Sequence, residues 1–326
     1  MRQTVKPFQI IVVDDGSTDR TAEIALSYPG VQVVHPRTGT GGSKARAQNS
    51  ALPFATGDLV LPVDADTVLA DNYIELIVVP FANPDVVVAA GCVLTKVTKT
   101  PTERGRSIEY LFGFTFYRPI QNMSHSPVVC SGCCSAFRRS TLVDFGGFPE
   151  RTIVEDMDYT WSQQCLGNRA VYVGAAVAYA ADPETYGYLK KQVWRWMSGF
   201  FQNVRIHRTN LVHKPMLALW VGLSVWEIFT APLWWSAPVV WPMIFHMSYE
   251  SMFMWWIGIE LAMTIPVLMI GAARRKLKPL RVLASLPFVY GNKVFNCYYA
   301  WKALVVELIL VPLGWAEGLH EYVMGR

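Results

Sequence analysis

The sequence predicts an α/β fold: an open, mostly parallel sheet, then an interfacial helix, then C-terminal transmembrane helices. Three observations carry this expectation. Short β-branched runs alternate with turns and helical stretches along the N-terminal part. Acidic clusters end two of those runs, where ligands of such sheets bind. Finally, Trp, Met, Leu, Val and Ile are concentrated between residues 216 and 314. With 52% hydrophobic and 17% charged residues, the chain is more apolar than a soluble protein of its 326-residue length. That length suits one catalytic domain and a smaller appendage. A net charge of +4 gives nucleic-acid binding little support, and no nucleic-acid partner is expected.

In order, Phe8–Val13 reads as a buried parallel strand that stops at Asp14-Asp15-Gly16-Ser17-Thr18-Asp19. Arg20–Ser27 has helical periodicity, Val31–Val34 is a second strand, and Pro36–Ser43 is a Gly/Thr loop. Lys44–Ala51 begins a helix, and Asp58–Val63 is a further strand ending at Asp64-Ala65-Asp66. Met216–Trp241 and Phe253–Ile270 each contain a single acidic residue, Glu227 and Glu260, and each can cross a ~30 Å hydrocarbon core. The alternative is a buried helical pair of a soluble protein, and Pro232 and Pro238 are candidate kinks or breaks in the first span. Lys and Arg flank this hairpin on its outer sides and are absent from His246–Ser251, so the positive-inside rule puts both outer ends in the cytosol. Val282–Pro312 fits either a third span or a helix lying in the interface. The expected division is therefore 1–183, 184–215 (interfacial helices) and 216–326 (membrane domain). The six cysteines read as reduced core thiols, since Cys130-x-x-Cys133 has no second pair at zinc-site spacing.

Five constellations can carry chemistry. Asp64-Ala65-Asp66 puts two carboxylates at a strand end, where they can share a divalent cation with substrate phosphates; solvated Asp pairs are also common there. Asp14–Asp19 suits a ligand loop or an ordinary turn. Gly39–Lys44 fails both the Walker and the dinucleotide spacing, yet a Gly-rich turn opening a helix can present N–H groups to phosphate. Glu155-Asp156, after Gly146-Gly147-Phe148-Pro149, offers a general base for an acceptor hydroxyl, or simply the acid-rich start of a helix. In Gln192-Val193-Trp194-Arg195-Trp196, Arg195 has a fork suited to pyrophosphate and Trp196 a face for a sugar ring; a membrane-surface helix explains the same residues.

Asp-Asp-Gly-Ser-Thr-Asp, the Gly-rich loop with Lys44 and Asn49, Asp-Ala-Asp, Ser131–Arg139 (S-G-x-x-x-A-F-R-R), Glu-Asp and Q-x-x-R-W occur in one order. In that order they resemble glycosyltransferase family 2, in its membrane branch with cellulose, chitin and hyaluronan synthases. The resemblance covers residues 8–215 firmly and the hairpin loosely. It implies a GT-A-like fold over 1–183 and inverting transfer of a sugar from a cytosolic nucleotide-sugar, a UDP-sugar, to a glycan, lipid or protein acceptor. It further implies that Asp14, Asp15, Lys44 and Asp64 bind the donor, and that Asp66 holds a divalent cation, Mn or Mg. Asp156 would be the catalytic base, with Glu155, Gln192, Arg195 and Trp196 at the diphosphate and acceptor end. The place implied is the cytoplasmic or inner membrane, among membrane lipids, with the catalytic domain in the cytosol.

The chain departs from the family by starting after the strand and helix that normally come first, a strand expected centrally in the sheet. A start codon placed too late, a partner chain supplying the piece and a degenerate enzyme all account for this. Two or three spans do not enclose a polymer channel alone, so either the chain forms a homo-oligomer or it adds sugars without translocation. A polyprenyl-phosphate sugar transferase and an inactive membrane scaffold are the competing readings.

Overall fold

The computed structural model of the chain describes residues 2–36 and 43–317. The Gly-rich loop Gly39–Gly42, read above as a phosphate contact, lies outside the described residues.

The N-terminal elements follow the hydrophobic pattern closely. Strand β1 (Ile10–Val13), helix α1 (Thr21–Leu26) and strand β2 (Val31–Val34) form one parallel unit with Ile10 opposite Val31. Helix α2 (Lys44–Ala51) starts on Ser43, whose hydroxyl accepts the Arg46 N–H. The expected strand 58–63 is shorter, only β3 (Leu59–Val60), and is followed by β4 (Val68–Leu69) and α3 (Tyr73–Ile77). Next come β5 (Val86–Thr95), α4 (Pro101–Phe112) and, after a π-helical turn at Gly113–Tyr117, α5 (Arg118–Met123). Strand β6 (Ala136–Arg138), α6 (Arg139–Asp144), α7 (Glu155–Cys165) and β7 (Arg169–Ala180) complete the α/β part.

The expected mostly parallel sheet is a mixed one. A five-stranded sheet runs in the order β3-β6-β5-β7-β4, and β1-β2 stand apart as a two-stranded sheet. The long β5–β7 pairing is parallel, while the short β3–β6, β5–β6 and β4–β7 pairings are antiparallel. The reason lies in β5: Val86–Leu94 is buried along its whole length, so both of its edges need partners, and β6 reaches it running in reverse. The described strands thus form two sheets instead of one.

Helix α4 begins with a reciprocal cap: the Thr100 hydroxyl accepts the Glu103 N–H, the Glu103 carboxylate accepts the Thr100 N–H, and Pro101 takes the first helical position. The C-terminal part is helical throughout: α8 (Tyr186–Leu211), α9 (Pro215–Phe245), α10 (Tyr249–Arg274) and α11 (Pro279–Val305), with a π-helical turn at Val306–Leu310. Helices α9 and α10 are long and apolar enough to cross a membrane, and their most apolar stretches are each only 11% buried, unlike the core helices of a soluble protein. Pro232, Pro238 and Pro242 lie inside α9 without breaking it. All six cysteines are free thiols, with Cys92, Cys130 and Cys134 buried.

Close helix approach depends on small residues. A Cβ at Gly105 in α4 would stand 2.5 Å from the Asn292 side chain and 2.7 Å from the Phe288 carbonyl in α11, whereas one at Gly113 would meet nothing within 4 Å. Gly105→Val should therefore force α4 from α11 and destabilise the protein by about 1–3 kcal/mol, while Gly113→Ala should change little. Thermal unfolding in detergent checks this, and equal effects would contradict the packing described.

Candidate active site

The turn after β1 is built around Asp14, which is 6% exposed. Its Oδ1 accepts the Ser17 N–H at 2.9 Å, and His35 Nδ1 stands 3.5 Å from Oδ2. The hydrogen bonds from Ser17 hold the Asp14 carboxyl below the usual carboxylate range. Asp14 thus shapes the loop, and its neighbour Asp15 is left exposed.

Lys44, in the first turn of α2, reaches across to the turn after β3, where its Nζ lies 2.5 Å from Asp64 Oδ1. Asp66 is half-buried two residues further on. At the start of α7, Asp156 Oδ2 accepts the Gly132 backbone N–H at 2.6 Å and its Oδ1 accepts the Met157 N–H at 2.7 Å. Two backbone donors thus fix the orientation of this carboxylate. Glu155 beside it is buried, and its carboxyl is pushed up to about 7 by burial and by the charge of Asp156, with Asp64 adding to the rise and Lys44 opposing it. The structure therefore brings Lys44, Asp64, Glu155 and Asp156 together. Gly132 leaves room for them, since a Cβ there would lie 3.3 Å from both Asp156 Oδ2 and Glu155 Oε1.

Helix α8 brings the Q-x-x-R-W segment against the same turn. Gly199 allows this, because its Cβ would fall 2.5 Å from Val154 Cγ2, directly ahead of Glu155. Trp194 and Trp196 pack on a core that includes Val154, Met157 and Trp161. Gln192 accepts a hydrogen bond from Arg106 at 3.0 Å, and Arg195 is half-buried on α8.

Several contributors escaped the reading of the sequence. Asp158 is fully buried, with Arg151 bound to both its oxygens (2.7 and 2.8 Å) and His207 Nε2 2.8 Å from Oδ1, which ties α7 to α8. Its position two residues after Asp156 was the available signal, since it points away from its neighbour's face. Gln202 accepts the Ile153 N–H and donates to the buried Glu307, linking the loop before α7 to the turn after α11. Asn49 is structural here: it accepts the Phe148 N–H at 2.7 Å and donates to the Phe148 carbonyl at 2.8 Å, fixing the turn at Gly147.

Among the described residues no three His, Cys, Asp or Glu side chains form a ready metal cage. An oxygen-loving divalent cation that keeps waters and binds substrate phosphates needs only one or two carboxylates. Asp66, half-buried two residues after Asp64, carries an oxygen ligand of the kind that mode of binding needs.

Residues 1–145 match the family model described as Glycosyl transferase family 2. A poly-beta-1,6-N-acetyl-D-glucosamine synthase from Staphylococcus epidermidis is 28% identical over 195 residues, 59% of this chain and 47% of that protein. The synthase of the same name from Staphylococcus aureus strain COL is 28% identical over 200 residues, with the same shares covered. The chain spans about half the length of the curated relatives it matches. In fold it resembles the mannosyltransferase PcManGT from Pyrobaculum calidifontis, solved in complex with GDP-Man and Mn2+, at a TM-score of 0.59 and 22% identity over 94% of this chain and 80% of that one.

Charging Glu155 inside the folded protein works against the fold. Its folded value of about 7 exceeds the ordinary 4.5, so the cost is absent below pH 4.5, grows between 4.5 and about 7, and is fully present above. Glu155→Gln should thus raise stability at pH 8 by roughly 2–3 kcal/mol, a gain that vanishes toward pH 4. Chelator-treated protein melted at both pH values tests this; a gain independent of pH would contradict the burial argument.

Proposed function

We propose that this chain, a glycosyltransferase whose residues 1–145 carry a family 2 domain, moves a sugar from a nucleotide diphosphate to a glycan hydroxyl at a membrane surface. The observation that carries the proposal is the meeting of Lys44, Asp64, Glu155 and Asp156, from three separate stretches of chain, beside the Q-x-x-R-W helix.

Asp15, exposed on the loop that Asp14 shapes, is placed to meet the nucleotide base, and Asp64 the rest of the nucleoside, where Lys44 can turn to phosphate. Asp66 would hold the divalent cation of the family, Mn or Mg, which when bound neutralises charge on the departing diphosphate. Asp156 takes the proton of the acceptor hydroxyl. That oxygen then bonds to the anomeric carbon from the face opposite the diphosphate. The bond from carbon to diphosphate oxygen breaks, its electron pair leaves with the nucleotide, and the configuration inverts. Arg195 is suited to the diphosphate oxygens, Trp196 to an acceptor sugar ring, and Glu155 and Gln192 to hydroxyl contacts at that end.

The sequence relatives make UDP-N-acetylglucosamine the donor to test first, with GDP-mannose beside it because the structural neighbour binds that nucleotide-sugar. Helices α9 and α10 supply the membrane anchor. The Lys and Arg residues flanking their outer ends favour a cytosolic catalytic face, where nucleotide-sugars are made.

Full-length protein in detergent, given labelled donor and Mn2+, should release nucleotide diphosphate. Asp156→Asn should slow turnover by about 10²–10⁴-fold and leave donor affinity within about two-fold. An unchanged rate would remove Asp156 from the chemistry. A wild type that binds donor without turnover would favour the scaffold reading, and label passing into organic solvent would favour a lipid acceptor.

A further inference from the structure

We infer that Arg106, in α4, is the positioning residue for the acceptor end of the site, through its grip on Gln192 and Trp196. The inference rests on the function proposed above. Arg106 is 4% exposed. Its Nη2 donates to Gln192 Oε1 at 3.0 Å, and its guanidinium carbon lies 5.1 Å from the centre of the Trp196 ring. Gln192 and Trp196 are four residues apart on one helix and so share a face. A single planar cation therefore fixes both, one by a hydrogen bond and the other by a cation–π contact.

The grip is itself braced. Arg106 Nη1 donates to Glu109 Oε2 at 2.6 Å, and the other Glu109 oxygen accepts from Asn296 of α11 at 2.8 Å. Arg106 Nε faces Asp182, on the segment leading into α8, at 3.9 Å. Asp182 is buried, with Thr95 and Tyr110 also beside its carboxyl. The attraction between Arg106 and Asp182 helps hold the entry to α8 beside its Q-x-x-R-W face. Lysine cannot reproduce this arrangement, because a single ammonium cannot donate to Gln192 and Glu109 while also standing over Trp196.

Arg106→Met tests the inference directly, and Arg106→Lys keeps a positive charge beside Glu109 and Asp182 should the Met variant fail to fold. With UDP-N-acetylglucosamine as donor and an N-acetylglucosamine oligosaccharide as acceptor, both variants should raise the acceptor KM by about ten-fold. Donor KM and acceptor-independent donor hydrolysis should stay within about two-fold. In a Gln192→Ala, Trp196→Ala background, Arg106→Lys should have no further effect, because the groups it positions are gone. An additive loss in that background, or an equal rise in donor KM, would overturn the inference while leaving the proposed function standing. A wild type without turnover would overturn both.

Discussion

Like charges held together against their repulsion are the constraint on which the rest of this structure depends. Asp64 and the pair Glu155-Asp156 arrive from distant stretches of chain; Lys44 answers them through Asp64, and Arg118 lies near Asp156. No such gathering helps a protein fold: one carboxyl is pushed up to about 7, and the group is stable only because packing elsewhere outweighs it. Under the proposed function, a bound cation with its diphosphate would relieve this cluster. The fold pins it with main-chain groups: Gly132 and Met157 amides on Asp156, Ser17 on the Asp14 loop.

Helix α8 packs against this acidic turn. Three independent ties hold it to α7 and its leading loop: Gly199 against Val154, His207 on Asp158, and Gln202 on Ile153. Gln202 also reaches Glu307, in the π-helical turn beyond α11. Helix α11, which packs beside α9 and α10, is therefore joined to the α/β part by buried polar contacts, which fix geometry more narrowly than apolar packing does. Arg106 and Glu109 make a second such joint, through Asn296.

Much of this was legible in the sequence because local patterns decided it. The β-branched runs at Ile10–Val13 and Val31–Val34 and the helix Lys44–Ala51 stand where periodicity and turn residues put them. The two apolar helices stand over the stretches that composition marked. What was illegible depended on long-range partners. The strand expected at 58–63 shrinks to Leu59–Val60, because only those residues find a partner in β6. The short antiparallel strands went unread for the same reason, since β6 is too short to announce its reversal. Around the candidate site, the residues whose work is to hold others were hard to read: Arg106 stands in no motif, and it meets Gln192 86 residues away, as Asp158 meets His207 49 residues away.

The central claim is that carboxylates from separate segments converge on one diphosphate-bound cation. The most direct test is a crystal or cryo-EM structure of the protein with Mn2+ and an unhydrolysable UDP-sugar analogue, with the metal located by anomalous scattering or density. The account predicts one Mn2+ between the Asp66 carboxylate and the diphosphate, with the Asp156 carboxylate open toward the anomeric carbon. A metal bound away from Asp66, or Asp66 and Asp156 opening into different cavities, would contradict it.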